Sequence, residues 1–314
     1  MAPQRWTTLH GKFCFNTNEI RFKGTVNNWT DELGVIHNDG ASYGLTLCDK
    51  QFSGGTIKAK VRFDAIDARS SVGILIGADV PTLSHIGGYI GYASLFAIQL
   101  WDGKKMVNYP NGVSGERENL IANRDYFLSI TVKGSEVNLY SDDVLVARVT
   151  LPFMLNKLPI GITCLSQSDI VISDYEVINE APTAFVVMQF SQPFNELYTQ
   201  VIKPICNEFG IEVMREDEAF GPGLIIGDIE RKINQSKLII AEITPSNPNV
   251  YYEVGYAHAL NKPTILIAEK GTKFPFDISP FRILLYENSI NGKAKVEEAL
   301  KGHLKAILET NLPR

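Results

Sequence analysis

Between Phe13 and Val177 apolar residues recur at every second position in short segments, and the segments are separated by Gly, Asn, Asp and Ser. A period of two puts successive side chains on opposite faces of a strand, so this part predicts an antiparallel all-β domain. The clearest strands are expected at Gly55–Phe63, Ser71–Ile76, Leu95–Leu100, Tyr126–Lys133, Glu136–Tyr140, Val144–Val149, Ile160–Cys164 and Ile170–Val177. Ser141, Asp142 and Asp143 mark a tight hairpin turn, since short polar side chains tolerate the left-handed backbone such turns require. Helical periodicity is absent here.

Past the polar segment Asn179–Thr183 (NEAPT) the pattern changes to alternating strands and helices, which places a domain boundary there and divides the chain into residues 1–180 and 181–314. Strands are expected at Ala184–Met188, Ile211–Met214, Leu238–Ile243, Thr264–Ala268 and Arg282–Tyr286, with helices at Pro193–Phe209, Leu224–Asn234, from Asn247, and at Lys293–Glu309. Continuous apolar runs each joined to a helix are typical of parallel strands covered on both faces, so a flavodoxin-like, doubly wound α/β sheet is expected. Asn247 followed by Pro248 suits an N-cap and first helical position. On the helix that follows, Val250, Val254, Ala257 and Leu260 share one side, and Glu253 projects among them toward the sheet. A carboxylate in that position needs hydrogen bonds, a proton or a ligand. In such sheets ligands bind at the carboxyl ends of the strands, which brings the loops 189–193, 215–223 and 244–249 around one cleft.

Composition narrows the function classes. The 314 residues suffice for two cores, and a net charge of −5 argues against nucleic acid as the main partner. The N-terminus MAPQRWTTLHGKFCF lacks the apolar stretch of a signal peptide, and no window is long and apolar enough to span a bilayer, so a cytoplasmic protein with no membrane partner is expected. Cys14, Cys48, Cys164 and Cys206 are scattered without a CxxC pair; all are expected reduced, with no metal site. The first strand of the C-terminal part runs into VVMQFSQPF instead of a GxGxxG turn, and no Walker motif occurs, which disfavours a dinucleotide oxidoreductase or P-loop ATPase.

FSGGTIKAKVRF, DYFLSITVKGSEVNLYSDDVLVARV and IGITCLSQSDIVISDYEV together resemble the strands of a concanavalin-like, laminin-G-like jelly-roll sandwich. That resemblance implies a carbohydrate-binding concave face, yet no strand carries the paired carboxylates of its glycan-hydrolysing members. Trp29 suits the core, whereas Trp101 in QLWDGKKMVNYP suits either the core or a sugar platform. In the C-terminal part AFVVMQFSQPFNELYTQVIKPICNEFGIEV, REDEAFGPGLIIGDIERKINQSKLIIAEIT and NPNVYYEVGYAHALNKPTILI resemble the nucleoside 2-deoxyribosyltransferase-like group and its TIR relatives.

The second resemblance implies an N-glycosyl hydrolase that breaks the ribosyl to base bond of NAD or a related nucleotide, with Glu253 as nucleophile or oxocarbenium stabiliser and no cofactor. Asp228 falls near the family's acidic helix-start residue, and Asn247 stands where true transferases carry a carboxylate. Asp228 and Asn247 are candidates for the sugar hydroxyls, Phe190, Phe220 and Tyr251 for the base, and Arg215 for a phosphate, while His258 is expected to be packed. The alternatives are a nucleoside 2-deoxyribosyltransferase and a non-catalytic nucleotide-sensing and assembly module. As TIR relatives commonly act when assembled, the resemblance further implies a defence or signalling effector that self-associates, or binds an activator, through the sandwich.

Overall fold

The computed structural model describes residues 4–30, 34–155, 157–215 and 225–309. The chain divides into two compact units, one of residues 1–132, 136–150 and 157–180, the other of residues 133–135, 151–156 and 181–314.

The first unit is built from β1 (Trp6–His10), β2 (Phe13–Phe15), β3 (Glu19–Phe22), β4 (Val26–Thr30), β5 (Ile36–Phe52), β6 (Gly55–Phe63), β7 (Ser71–Asp79), β8 (Ser84–Ile90), β9 (Phe96–Trp101), β10 (Met106–Ser114), β11 (Tyr126–Lys133), β12 (Glu136–Ser141), β13 (Val144–Thr150), β14 (Leu158–Ser166) and β15 (Ile170–Asn179). One antiparallel sheet runs β1-β5-β14-β7-β8-β9-β10, with β4 also on β5; the other runs β13-β12-β11-β6-β15-β3-β2. This is a jelly-roll-like sandwich. Strands β6 and β11 alternate buried and exposed positions, the signature of one face inward and one in water. Asp142 and Asp143 both take positive φ in the turn between β12 and β13, as the hairpin expectation requires.

β7 departs from alternation because every residue from Ser71 to Ala78 is buried. Its inner side chains Val72, Ile74 and Ile76 face the sandwich core, while Leu75 joins Leu45, Leu47, Ala78, Tyr89 and Ala97 in a second apolar cluster packed by Leu9, Tyr92 and Met106. The larger sheet therefore buries both its faces. Opposite it, the outer face of the other sheet is laced with ion pairs, Arg21 with Asp64 at 3.1 Å and Lys60 with Asp174 at 3.4 Å among them, which keep it in water.

The second unit contains β16 (Thr183–Val187), α1 (Phe194–Leu197), a π-helical turn (Tyr198–Ile202), α2 (Lys203–Glu208), β17 (Glu212–Arg215), α3 (Ile225–Gln235), β18 (Leu238–Glu242), α4 (Pro248–Ala259), β19 (Thr264–Glu269), β20 (Ile283–Tyr286) and α5 (Ile290–Glu309). The five strands are all parallel, in the order β17-β16-β18-β19-β20. Alternation within the buried strands feeds two cores. Ala184, Val186, Leu238, Ile240, Ile265 and Ile267 pack under the helical stretch 194–208 and α5. Phe185, Val187, Ile239, Ala241, Leu266 and Ala268 pack under α3 and α4. The expected single helix over Pro193–Phe209 is instead three segments with a π turn at its centre.

Two lysines of this unit are almost wholly buried, with no carboxylate partner among the described residues. Lys262 Nζ donates to Asn234 O at 2.6 Å and Ser236 O at 2.7 Å, and lies 3.7 Å from Met154 Sδ, while Lys237 Nζ donates to Leu155 O at 3.0 Å. Burial pushes Lys237 down to about 8 and Lys262 down to about 7. All four cysteines are free, with Cys14 exposed and the others buried.

Candidate functional site

The outer face of the larger sheet holds a pocket of about 450 Å³. Its floor comes from neighbouring strands: Tyr43 on β5, Thr163 and Leu165 on β14, Ser71 on β7, His85 and Tyr89 on β8, and Trp101 on β9. The cross-strand register sets His85 opposite Trp101 and Gly73 opposite Tyr89. Gly73 is what lets the Tyr89 ring lie across the sheet, since a Cβ there would stand 2.4 Å from Tyr89 Cε1 and 2.7 Å from Thr163 Cγ2. Aromatic rings cluster at both ends: His10 and Tyr43 have centroids 5.9 Å apart, Tyr89 and Tyr92 6.5 Å.

The electrostatics of the pocket are neutral. Among the described residues no Asp, Glu, Lys or Arg lines it. Tyr89 is 2 % exposed and its hydroxyl is buried with no hydrogen-bond partner. Burial pushes that hydroxyl well above the usual phenol range, so it stays an O–H donor. His85 Nδ1 lies 2.9 Å from Leu83 O; a carbonyl only accepts, so Nδ1 carries the hydrogen and Nε2 is left as an acceptor. Desolvation lowers the His85 pKa, which favours this neutral ring. Leu83 itself lines the pocket at φ 56°, a left-handed conformation that a leucine holds only at a cost of about 1–2 kcal/mol. Gln99 adds a second buried polar atom to the same strand face: Oε1 has no partner although Nε2 donates to Asn108 Oδ1.

Of the residues singled out in the sequence, Trp101 lines this pocket, whereas the candidates for a nucleotide site occupy the other unit, where several have structural partners. Asn247 is the N-cap of α4, its side chain accepting from Asn249 N at 3.0 Å. Asp228 is held by Arg231 Nη2 at 2.6 Å on α3. Arg215 stacks over Tyr198 at 4.4 Å and Phe190 at 5.2 Å and donates to Asn195 Oδ1 at 2.9 Å. His258 stacks on Phe281 at 4.3 Å, a packed histidine as expected. Phe220 lies outside the described residues, as does the side chain of Trp29.

Glu253 stands on α4 only half buried; among the described residues the carboxylate that is wholly removed from solvent is Glu242, at the end of β18. Its Oε1 accepts from Thr244 N at 3.2 Å, from the Thr244 hydroxyl and from Tyr286 Oη at 3.3 Å, while Oε2 has no partner. Burial, aided by the charge of Glu269, pushes Glu242 up to about 7 against the hydrogen bonds that favour its ionised form. The Tyr251 hydroxyl is likewise buried without a partner. Sequence reasoning passed over Glu242 because the apolar run was read through it, from Ala241 to Ile243. The available signal was an acid interrupting a strand buried on both faces.

No family model matches the chain, and no curated protein matches it. Solved structures similar to it include a carbohydrate-binding module, CBM66, of Bacillus subtilis, with 12% identity over 54% of this chain and 92% of that one at a TM-score of 0.43. A Bacillus licheniformis β-glucanase has 11% identity over 57% and 94%, TM-score 0.35. The catalytic domain of an endo-1,3-β-glucanase of Thermotoga petrophila RKU-1 has 13% identity over 55% and 92%, TM-score 0.35.

These findings correct the functional expectation. The structures named concern polysaccharides, not nucleotides, so the reading as an NAD N-glycosidase, a deoxyribosyltransferase or a nucleotide-sensing module is withdrawn. The designations NADase, TIR-like, deoxyribosyltransferase-like and flavodoxin-like go with it. For residues 181–314 what stands is the five-stranded parallel sheet with helices on both faces. Among the described residues no helix is long and apolar enough to cross a membrane.

Proposed function

We propose that the sandwich binds an uncharged carbohydrate in the pocket of Tyr43, His85, Tyr89 and Trp101. The observation that carries this reading is the Tyr89 hydroxyl, a buried donor with no acceptor among the described residues, set in a pocket whose walls are aromatic. A buried polar group without a partner is destabilising by about 1–3 kcal/mol, a penalty that a ligand hydroxyl relieves. Sugars present such hydroxyls on their edges and apolar C–H faces above and below the ring. Trp101 and the tyrosines offer flat surfaces to those faces, and His85 Nε2 offers an acceptor. The similar structures share the fold alone with this chain; they serve only to choose which sugars to test first.

Binding is favoured over hydrolysis. Glycoside cleavage calls for two carboxyl groups on either side of the scissile bond, about 5–9 Å apart. No carboxylate lines the pocket among the described residues, and Asp79 accepts a hydrogen bond from the hydroxyl of Thr82, a lining residue. Titration calorimetry of the full chain against neutral β-glucan oligosaccharides and other neutral saccharides tests the reading. An affinity that falls about tenfold in Trp101→Ala and in Tyr89→Phe, with no reducing sugar released from the glucan, is the expected result. Unchanged affinity in both variants, or no binding to any neutral saccharide, rejects it.

A further inference from the structure

The parallel-sheet unit holds a second group of polar atoms with nothing to bind. Glu242 closes β18, the middle strand of the sheet, and Tyr251 sits on the helix that follows. Each has a buried oxygen without a hydrogen-bond partner, Oε2 of Glu242 and the hydroxyl of Tyr251, and Glu242 is 0 % exposed. The Tyr251 hydroxyl feels the charge of Glu242, which raises its pKa after the larger effect of burial.

The hydrogen-bond pattern decides where a proton on Glu242 resides. Glu269 N donates to Thr244 Oγ1 at 2.8 Å, so the Thr244 hydroxyl is an acceptor there and passes its own hydrogen on to Glu242 Oε1. Thr244 N and the Tyr286 hydroxyl donate to that same oxygen. With Oε1 saturated by donors, the carboxyl hydrogen has only Oε2 left to occupy. Two O–H donors, Glu242 Oε2–H and Tyr251 Oη–H, are thus buried with no acceptor among the described residues.

We propose that Glu242 and Tyr251 donate together to an uncharged oxygen acceptor, a carbonyl or amide oxygen, of a small ligand at the carboxyl end of the parallel sheet. An anion is disfavoured because Glu269, on β19, and Glu242 itself when ionised would both repel it. The place suits the chemistry, since parallel sheets with helices on both faces take their ligands at the strand ends, where the connections diverge. Keeping a carboxylic acid neutral so that it serves as a donor is what an apolar, desolvated setting does. Among the described residues the groups bearing on Glu242 are Thr244 beyond β18, Glu269 on β19, Tyr286 on β20 and Tyr251 on α4, and none of these is a cation.

The test follows the Glu242 carboxyl by carbon NMR in the full chain, assigned with Glu242→Gln, with acetamide as probe and acetate as the charged control. Acetamide is expected to raise the Glu242 midpoint from about 7, because it accepts only from the protonated acid, and acetate is expected to leave it unmoved. Glu242→Gln keeps an N–H donor at this place and should still bind acetamide. Glu242→Leu should lose it, and Tyr251→Phe should weaken it about tenfold. If acetamide leaves the midpoint unchanged, a bound water alone satisfies the two donors and the proposal fails. If Tyr251→Phe and wild type respond alike, it also fails, independently of whether Glu242→Leu folds.

Discussion

Gly73 and Tyr89 face each other across β7 and β8, and the missing Cβ of the first is the space occupied by the ring of the second, with 2.4 Å between the virtual Cβ and Tyr89 Cε1. A methyl group there cannot be absorbed by a small shift, because Thr163 Cγ2 closes the other side at 2.7 Å. Gly73→Ala is therefore expected to push the Tyr89 ring out of its place. Overpacking of this kind is destabilising by about 1–3 kcal/mol. Saccharide binding should fall with it, whereas Gly227→Ala, where nothing stands within 4 Å, should leave binding unchanged. Denaturant midpoints and calorimetric affinities of the two variants check both statements.

A change at Trp101 separates stacking from hydrogen bonding in the same pocket. Trp101→Phe keeps a flat ring opposite His85, whereas Trp101→Ala removes it. The first should retain most of the affinity and the second lose about tenfold, the worth of one aromatic face in contact. Tryptophan fluorescence on saccharide addition should shift in the wild type and be silent in both variants if Trp101 is the reporting ring.

The architecture was legible where one face of an element meets water. β6 and β11 occupy the residues that their alternation predicts. β8 gives no such alternation, because its residues from His85 to Ile90 are all buried, and it was not recognised. β10 was missed for the opposite reason, being largely half-buried or exposed. Asn247 and Pro248 fixed the start of α4, since a cap acts through its nearest neighbours in sequence. Of the pocket only Trp101 was legible, as a residue for the core or a sugar platform; His10, Tyr43 and Tyr89 come from three other strands and meet it only through sheet register. Glu253 stands out as an acid on an apolar helix side, whereas Glu242, the acid at the end of a strand covered on both faces, is the buried one.

The cap itself gives a local prediction. Asn247 satisfies Asn249 N at the first turn of α4, and alanine leaves that amide without its partner. Asn247→Ala should destabilise the parallel-sheet unit by about 1 kcal/mol, and Asn247→Asp should restore it, as an acid also favours a helix N-terminus. Urea unfolding of the three proteins measures the difference.

The last prediction concerns pH, and its sign follows from three buried groups. Glu242 keeps its proton up to about 7 in the folded protein against an ordinary value of 4.5. Between those values the folded state holds more protons than the unfolded one, so stability from this group, full below 4.5, falls as pH rises to about 7. Lys262 and Lys237 lose their protons at about 7 and about 8 when folded and at 10.5 when unfolded. Across that window the unfolded state holds more protons, so stability rises with pH and is lost again as pH falls through the folded values. The two effects meet near neutrality, where the contribution of these groups should be smallest. Glu242→Gln is expected to flatten the acidic limb relative to wild type, and Lys262→Met the alkaline limb, each seen as a difference in urea midpoint across the pH range. An acidic limb that is identical in wild type and Glu242→Gln would show that Glu242 is ionised well below neutrality and would remove the buried acid from this account.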